Sequence, residues 1–164
     1  MGSIFLATPA MSEERATPAA PASLGGNKNT ERIFPEKIIA TWGYRTTRNE
    51  SVEQTSWEIQ HFGKATLRHQ AIKAVKEIVG RKDTYYRFLI AAETFSSEKE
   101  AADRIARIRD APPGVNTKME PRWILCDGIV QGKTAYIVST NVLMFEIEAM
   151  PEVMKLLKKQ LGAK

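Results

Sequence analysis

The order of hydrophobic and polar residues changes period several times along the first half of the folded chain. Residues 38–44 combine β-branched and aromatic side chains and predict a strand, whereas the polar residues 45–54 predict a loop. Residues 55–62 alternate between apolar and polar side chains, which predicts a half-buried strand. Residues 64–79 place apolar side chains at helical spacing and therefore predict a helix, which ends at Gly80.

The second half opens with a strong strand pattern and a well-marked helix start. Residues 84–95 predict a strand. Ser97 and Glu100 have the spacing of a capping box, in which each side chain accepts a hydrogen bond from the other residue's backbone N–H. An apolar stripe at helical spacing follows, made of Ala101, Ile105 and Ile108. Residues 112–114 are Pro-Pro-Gly and end this helix, and residues 115–120 predict a loop.

The segment from Gly128 to Thr134 comes close to the phosphate-binding P-loop motif without matching it. The motif needs four residues between its first glycine and Gly-Lys-Thr, and it must open a helix. Here three residues intervene, and the β-branched and aromatic run 135–138 that follows predicts a strand. Residues 122–130 and 133–145 therefore predict the two strands of a hairpin, with its turn at residues 131–132.

Apolar residues return to helical spacing near the C-terminal end. Pro151 suits the first position of this last helix, where its missing N–H costs no hydrogen bond. The predicted inner face consists of Val153, Leu156, Leu157 and Leu161. Lysines toward the end of the helix favour its C-terminal dipole, and Gly162 ends it.

Together these elements predict an α+β fold in the order β-β-α-β-α-β-β-α. We expect an antiparallel or mixed sheet of about five strands, with three amphipathic helices that cover one face. Residues 1–30 are rich in Ala, Pro, Ser and Gly and predict a disordered leader, because they offer little apolar surface to bury. Residues 31–164 then form a single α+β domain.

Composition narrows the class of protein. Apolar residues make up 43% of the chain and charged residues 26%, which is ordinary for a globular protein. No apolar run approaches the roughly 20 residues needed to span a bilayer. The leader lacks the basic and apolar regions of a secretory signal, so we expect a cytoplasmic protein.

Few residues suggest catalysis or metal binding. Two histidines and the single Cys126 are too few for a zinc site of nitrogen and sulfur ligands, and Asp127 has no carboxylate partner at a suitable spacing. The strand position of Cys126 favours a buried structural thiol over a nucleophile. We predict no cofactor and no metal, and an enzyme built around His61, Cys126 and Asp127 is the third hypothesis.

A non-enzymatic module that binds a protein partner is the leading hypothesis for function. Aromatic strands and amphipathic helices leave a sheet face or edge for a partner. The net charge of +5 favours a nucleic-acid-binding accessory protein as the alternative, although the excess charge is spread along the chain. The candidate binding residues are the cations of the predicted helix 64–79 with one arginine and one tryptophan of the strands: Lys64, Arg68, Lys73, Lys76, Arg87 and Trp123.

Overall fold

The computed structural model describes residues 31–110, 123–141 and 144–163. The predicted leader, the predicted helix end at 112–114 and the predicted loop at 115–120 lie outside these residues. Nine elements follow one another along the described chain: α1 (Glu36–Thr41), β1 (Tyr44–Val52), α2 (Ser56–Phe62), β2 (Thr66–Ala74), β3 (Arg87–Thr94), α3 (Glu98–Asp110), β4 (Trp123–Gln131), β5 (Thr134–Asn141) and α4 (Met144–Leu161).

The five strands form one antiparallel sheet in the order β1-β2-β3-β5-β4. This confirms the predicted α+β class and the predicted sheet of about five strands. Within the described ranges there are four helices rather than three, and the order along the chain is α-β-α-β-β-α-β-β-α. The difference from the predicted order arises entirely before β3.

The predicted strand at residues 38–44 is largely the short helix α1, and the predicted loop at residues 45–54 is largely strand β1. α1 begins after Pro35 and places Ile39 in the core, fully buried, so that packing outweighs the strand preference of its β-branched residues. β1 is an edge strand whose side chains are mostly exposed or half-buried. Its sequence is therefore polar and lacks the apolar alternation that marks a half-buried strand.

The predicted strand at residues 55–62 is helix α2. A capping box starts this helix: the Thr55 hydroxyl accepts from the Glu58 N–H at 3.2 Å, and the Glu58 carboxylate accepts from the Thr55 N–H. The two caps satisfy backbone donors that a helix start otherwise leaves unpaired. The helix buries none of its residues fully, so its apolar and polar side chains have no clear helical period.

The predicted helix at residues 64–79 is strand β2 followed by an irregular connection. Gln70, Ile72 and Ala74 are buried at alternate positions of β2, as a strand requires. Gln70 is polar, however, and interrupts the apolar alternation in the sequence. The remaining apolar residues then happen to fall at helical spacing.

The elements from β3 to β5 follow the prediction in type and order, although the turn lies one residue after the predicted 131–132 and the predicted strand 133–145 ends at Asn141. The capping box of α3 has the predicted partners, because the Glu100 N–H donates to the Ser97 hydroxyl at 3.2 Å and the Ser97 N–H donates to the Glu100 carboxylate at 3.0 Å. The hairpin of β4 and β5 turns at Gly132 and Lys133, with Gly132 in the left-handed region at φ +56°. Lys133 therefore lies at a hairpin tip and does not open a helix.

Helix α4 is longer than predicted and carries Pro151 inside it, not at its first position. Its inner face agrees with the prediction at Val153 and Leu157, which are fully buried, while Leu156 and Leu161 are half-buried. Among the described helices, none has the length and apolar character to cross a membrane.

Two apolar clusters lie on opposite faces of the sheet. The larger one packs α1 and α4 against Ile72, Ile90 and Val138, and the smaller one packs α3 against Ala91 and Ile137. Because consecutive strand residues point to opposite faces, these sets place helices on both sides of the sheet. The expectation that the helices cover one face is therefore wrong.

Candidate functional site

Three basic residues lie side by side on neighbouring strands. Arg45 of β1 is in register with Lys73 of β2, and Lys73 is in register with Arg87 of β3. Residues directly opposite one another on antiparallel strands project from the same face of the sheet. We call these three residues the basic row. Neighbouring strands are about 4.8 Å apart, so the row crosses three strands over about 10 Å.

The basic row is open to solvent and carries uncompensated charge. Arg45 and Arg87 are exposed and Lys73 is half-buried. Among the residues that the structure describes, no carboxylate forms an ion pair with any of the three. The row lies on the same face of the sheet as α3, which packs against β4 and β5. It lies at the start of β3, whereas α3 begins just after the end of β3.

An aromatic ring lies against the middle of the basic row. The Lys73 Nζ is 3.7 Å from the centre of the Tyr85 ring, which is a favourable cation–π contact. The Tyr85 hydroxyl donates to the Glu77 carboxylate at 3.2 Å. Desolvation and then the charge of Glu77 raise the pKa of Tyr85, which keeps the hydroxyl protonated. Tyr85 thus holds Lys73 in place while leaving its charge unpaired.

The connection between β2 and β3, residues 75–86, joins the ends of the strands that carry Lys73 and Arg87, and it exposes apolar side chains. Val75 is 60% exposed and Val79 is 97% exposed. Backbone hydrogen bonds order this connection, from the Ile78 N–H to the Thr84 carbonyl at 2.8 Å and from the Arg81 N–H to the Ile78 carbonyl at 2.9 Å. An ordered loop with an almost fully exposed valine presents apolar surface that the fold itself does not bury.

The structure brings together only part of the predicted binding set. Lys73 and Arg87 are neighbours in the basic row, and Lys76 is exposed in the connection that follows β2. Arg68 lies on the opposite face of the sheet and pairs with Glu31 at 3.6 Å. Since residues 64–79 are not a helix, the predicted basic helix surface does not exist.

The two remaining predicted residues lie away from the row's centre. Lys64 precedes β2 and is exposed at the other end of that strand. Trp123 is the first residue of β4, in register with Asn141, and its side chain lies outside the described part of the structure.

Arg45 belongs to the basic row but is absent from the predicted set. The prediction treats residues 45–54 as a loop, so it assigns Arg45 no face and no neighbours. The β-branched pair Thr46 and Thr47 directly after it was the available sign of a strand. Only the sheet register reveals that Arg45 stands opposite Lys73.

The residues of the third hypothesis each make their own contacts near α3. The His61 ring stacks on Trp57 at 4.1 Å, and its Nδ1 lies 2.8 Å from the Trp57 carbonyl. Asp127 accepts from Arg109 at 3.1 Å and from the Gly128 N–H at 2.7 Å. Cys126 is half-buried beside the cluster under α3. Within the described residues, no hydrogen bond or ion pair joins His61 to Asp127.

A groove of about 240 Å³ separates α2 from α3, and its charged groups are already bound to the protein. Arg104 forms a buried, two-pronged ion pair with Glu93, at 2.7 and 3.1 Å, and lies 4.2 Å from the centre of the Phe62 ring. Arg107 donates to the His61 carbonyl. This arrangement fixes α2 against α3, and it leaves little unpaired charge with which to hold a ligand.

Histidine and carboxylate groups do not assemble into a metal centre in the described ranges, where no cluster of three or more potential ligands occurs.

His69 is half-buried on β2, in register with Glu50, and burial is the main cause that lowers its pKa. A neutral imidazole at this position is accordingly favoured in the folded protein.

No family model, no curated protein and no solved structure matches the chain.

Proposed function

We propose that this protein is a non-enzymatic interaction module that binds an acidic protein partner through the basic row and the connection between β2 and β3. The observation that carries this proposal is the row itself. Three cations stand in register on one sheet face, and none has an ion-paired carboxylate within the described residues.

The alignment of three cations is by itself unfavourable for folding, which supports a role in binding. Like charges directly opposite one another on neighbouring strands repel and destabilise a sheet. Proteins depart from such local rules mainly at functional sites, where another gain offsets the loss. Carboxylates of a partner would relieve the repulsion among Arg45, Lys73 and Arg87, so that binding recovers the energy that folding loses.

The exposed valines favour a protein over a nucleic acid. Interfaces between proteins bury apolar side chains at their centre and keep polar ones at the rim. Val75, two residues after Lys73, and Val79, further along the same connection, supply such apolar surface. A phosphate backbone offers charge for the row but no apolar surface for Val79.

A nucleic-acid-binding accessory protein is the second candidate, favoured by the same uncompensated cations. In that case the affinity falls steeply with salt, because each cation that contacts a phosphate releases a counterion. Enzymatic function receives less support, since His61 stacks on Trp57 while Asp127 is bound by Arg109.

The test compares the full chain with two charge-reversed double variants in affinity capture from a cell extract. Lys73→Glu/Arg87→Glu reverses two cations of the row. Lys37→Glu/Lys155→Glu makes the same change in net charge on exposed positions of α1 and α4, on the other side of the sheet. Circular dichroism and melting curves establish that both variants are folded.

We expect the wild type and the Lys37→Glu/Lys155→Glu variant to capture acidic proteins that the Lys73→Glu/Arg87→Glu variant does not capture. An identical set of retained proteins for all three chains contradicts the proposal. Retained material that is nucleic acid, lost on nuclease treatment, replaces the leading function with the alternative.

A further inference from the structure

We infer that the partner segment that lies on the basic row is an α-helix with acidic residues along one face. This inference rests on the proposed function and specifies the structure of the partner. The helix crosses β1, β2 and β3 roughly at right angles to the strands, because the row itself runs in that direction.

The spacing of the cations matches a helix better than an extended chain. The row places one cation about every 4.8 Å and spans about 10 Å from Arg45 to Arg87. On a helix, side chains at i, i+4 and i+7 share one face, neighbours are about 5–6 Å apart, and seven residues rise about 10.5 Å. Three carboxylates with that spacing can therefore face all three cations together.

An extended acidic segment fits the row less well. Side chains on one face of a strand recur every second residue, or about every 6.6 Å, and three of them span about 13 Å. If one carboxylate of such a segment faces Lys73, the outer two overshoot Arg45 and Arg87. Fewer of its charges can then pair with the row at the same time.

The valines extend the description of the partner. Val75 follows β2 directly, two residues after Lys73, and Val79, further along the connection, is 97% exposed. A helix whose acidic stripe lies on the row can bury an apolar side chain on its flank against this connection. The expected partner element is therefore an amphipathic helix with adjoining acidic and apolar faces.

The experiment uses three fluorescent peptides of equal length, composition and net charge as probes for the full chain. The first is an alanine-rich helix with glutamates at i, i+4 and i+7. The second is a helix with glutamates at i, i+5 and i+10, which distributes them around its circumference. The third carries glutamates at i, i+2 and i+4, and prolines beside the glutamates keep it extended. The other two peptides contain the same number of prolines, but at their ends, where they leave the helix intact.

Fluorescence anisotropy at low salt should show that the first peptide binds about tenfold more tightly than either of the others, which is a difference in binding free energy of about 1.4 kcal/mol. Lys73→Glu/Arg87→Glu should abolish this preference, and Lys37→Glu/Lys155→Glu should retain it. Val75→Ser should weaken a version of the first peptide with a leucine beside its acidic face, without affecting the leucine-free peptide.

The outcomes separate this inference from the function on which it rests. Row-dependent binding of equal strength for all three peptides overturns the helical partner but agrees with an acidic one. Tightest binding of the extended peptide overturns it as well. If no peptide binds but single-stranded RNA binds in a row-dependent and salt-sensitive manner, both the helical partner and the protein-binding function are wrong.

Discussion

The side-chain amide of Gln70 pairs with both backbone groups of Phe34. Its oxygen accepts from the Phe34 N–H at 2.8 Å, and its nitrogen donates to the Phe34 carbonyl at 3.0 Å. The same nitrogen donates to the Thr46 hydroxyl at 2.8 Å. One polar side chain in the core thus joins β2 to the segment that leads into α1 and to the edge strand β1.

Replacing Gln70 should therefore destabilise the fold strongly. Gln70→Ala leaves the buried N–H and carbonyl of Phe34 without partners, and each unsatisfied buried group costs about 1–3 kcal/mol. Urea unfolding should show this loss for Gln70→Ala and almost none for Gln60→Ala, because Gln60 is exposed on α2. Equal effects of the two changes would mean that the amide contributes no net stability.

Gly128 should tolerate no side chain, because β4, β5 and α3 meet there. A Cβ atom at this position would lie 2.5 Å from the Tyr136 carbonyl oxygen and 2.6 Å from the Ile105 Cδ1. Gly128→Ala should cost about 1–3 kcal/mol in overpacking. The double variant Gly128→Ala/Ile105→Val lacks that Cδ1 and should lose less stability than the sum of its single changes. Strict additivity in thermal unfolding would show that α3 makes no close contact with Gly128.

Leu157 should be far more important for stability than its neighbour Lys158. Leu157 is fully buried between α4 and the sheet, whereas Lys158 is exposed. Leu157→Ala leaves a cavity and should cost about 2–5 kcal/mol, whereas Lys158→Ala should change the free energy of unfolding little. Small and equal effects in urea would mean that α4 packs only loosely on the sheet.

Tyr44 should make the folded state sensitive to high pH. Burial foremost raises its pKa from 10.0 to about 12, so its protonated form is favoured in the folded protein. The stability that depends on the protonated phenol is fully present below pH 10 and is lost as the pH rises through 12, and the total loss is about 2–3 kcal/mol. Tyr44→Phe should lose less stability than the wild type between these values. Parallel curves of unfolding free energy against pH would contradict a buried phenol.

The sequence predicts the part of the fold in which local patterns and tertiary packing agree. The run that became β3 is continuously apolar, α3 has its own capping box, and the turn at Gly132 joins two β-branched segments. Each of these elements can be recognised from neighbours in the chain. Tertiary contacts reinforce them and do not alter their type.

The first half of the chain is harder to predict because distant contacts decide its structure. Gln70 occupies a core position only because Phe34 and Thr46 satisfy its amide, and a sequence does not show which polar residue will find such partners. Edge position likewise allows β1 to be polar on both faces. α2 is the exception, since Thr55 and Glu58 do carry the sequence mark of a helix start.

The candidate surface was predictable only in part, because it depends on register. The sequence shows that Lys73 and Arg87 are cations, but their alignment with Arg45 follows from how three strands pair. A shift of one residue in either pairing would send a member of the row to the other face. Register is a property of the assembled sheet and cannot be read from one strand alone.

The contacts of Gly128 bear on how the molecule avoids joining with copies of itself. Its N–H is taken by Asp127 and its carbonyl by Arg109, whose guanidinium also binds Asp127. Edge strands with free backbone groups invite further strands and, eventually, fibres. The Asp127–Arg109 pair is exposed and adds little stability, but it bonds the N–H and carbonyl of Gly128 in the middle of β4, so these groups are not free to pair with an added strand. Growth of the sheet beyond β4 is thereby discouraged at high protein concentration.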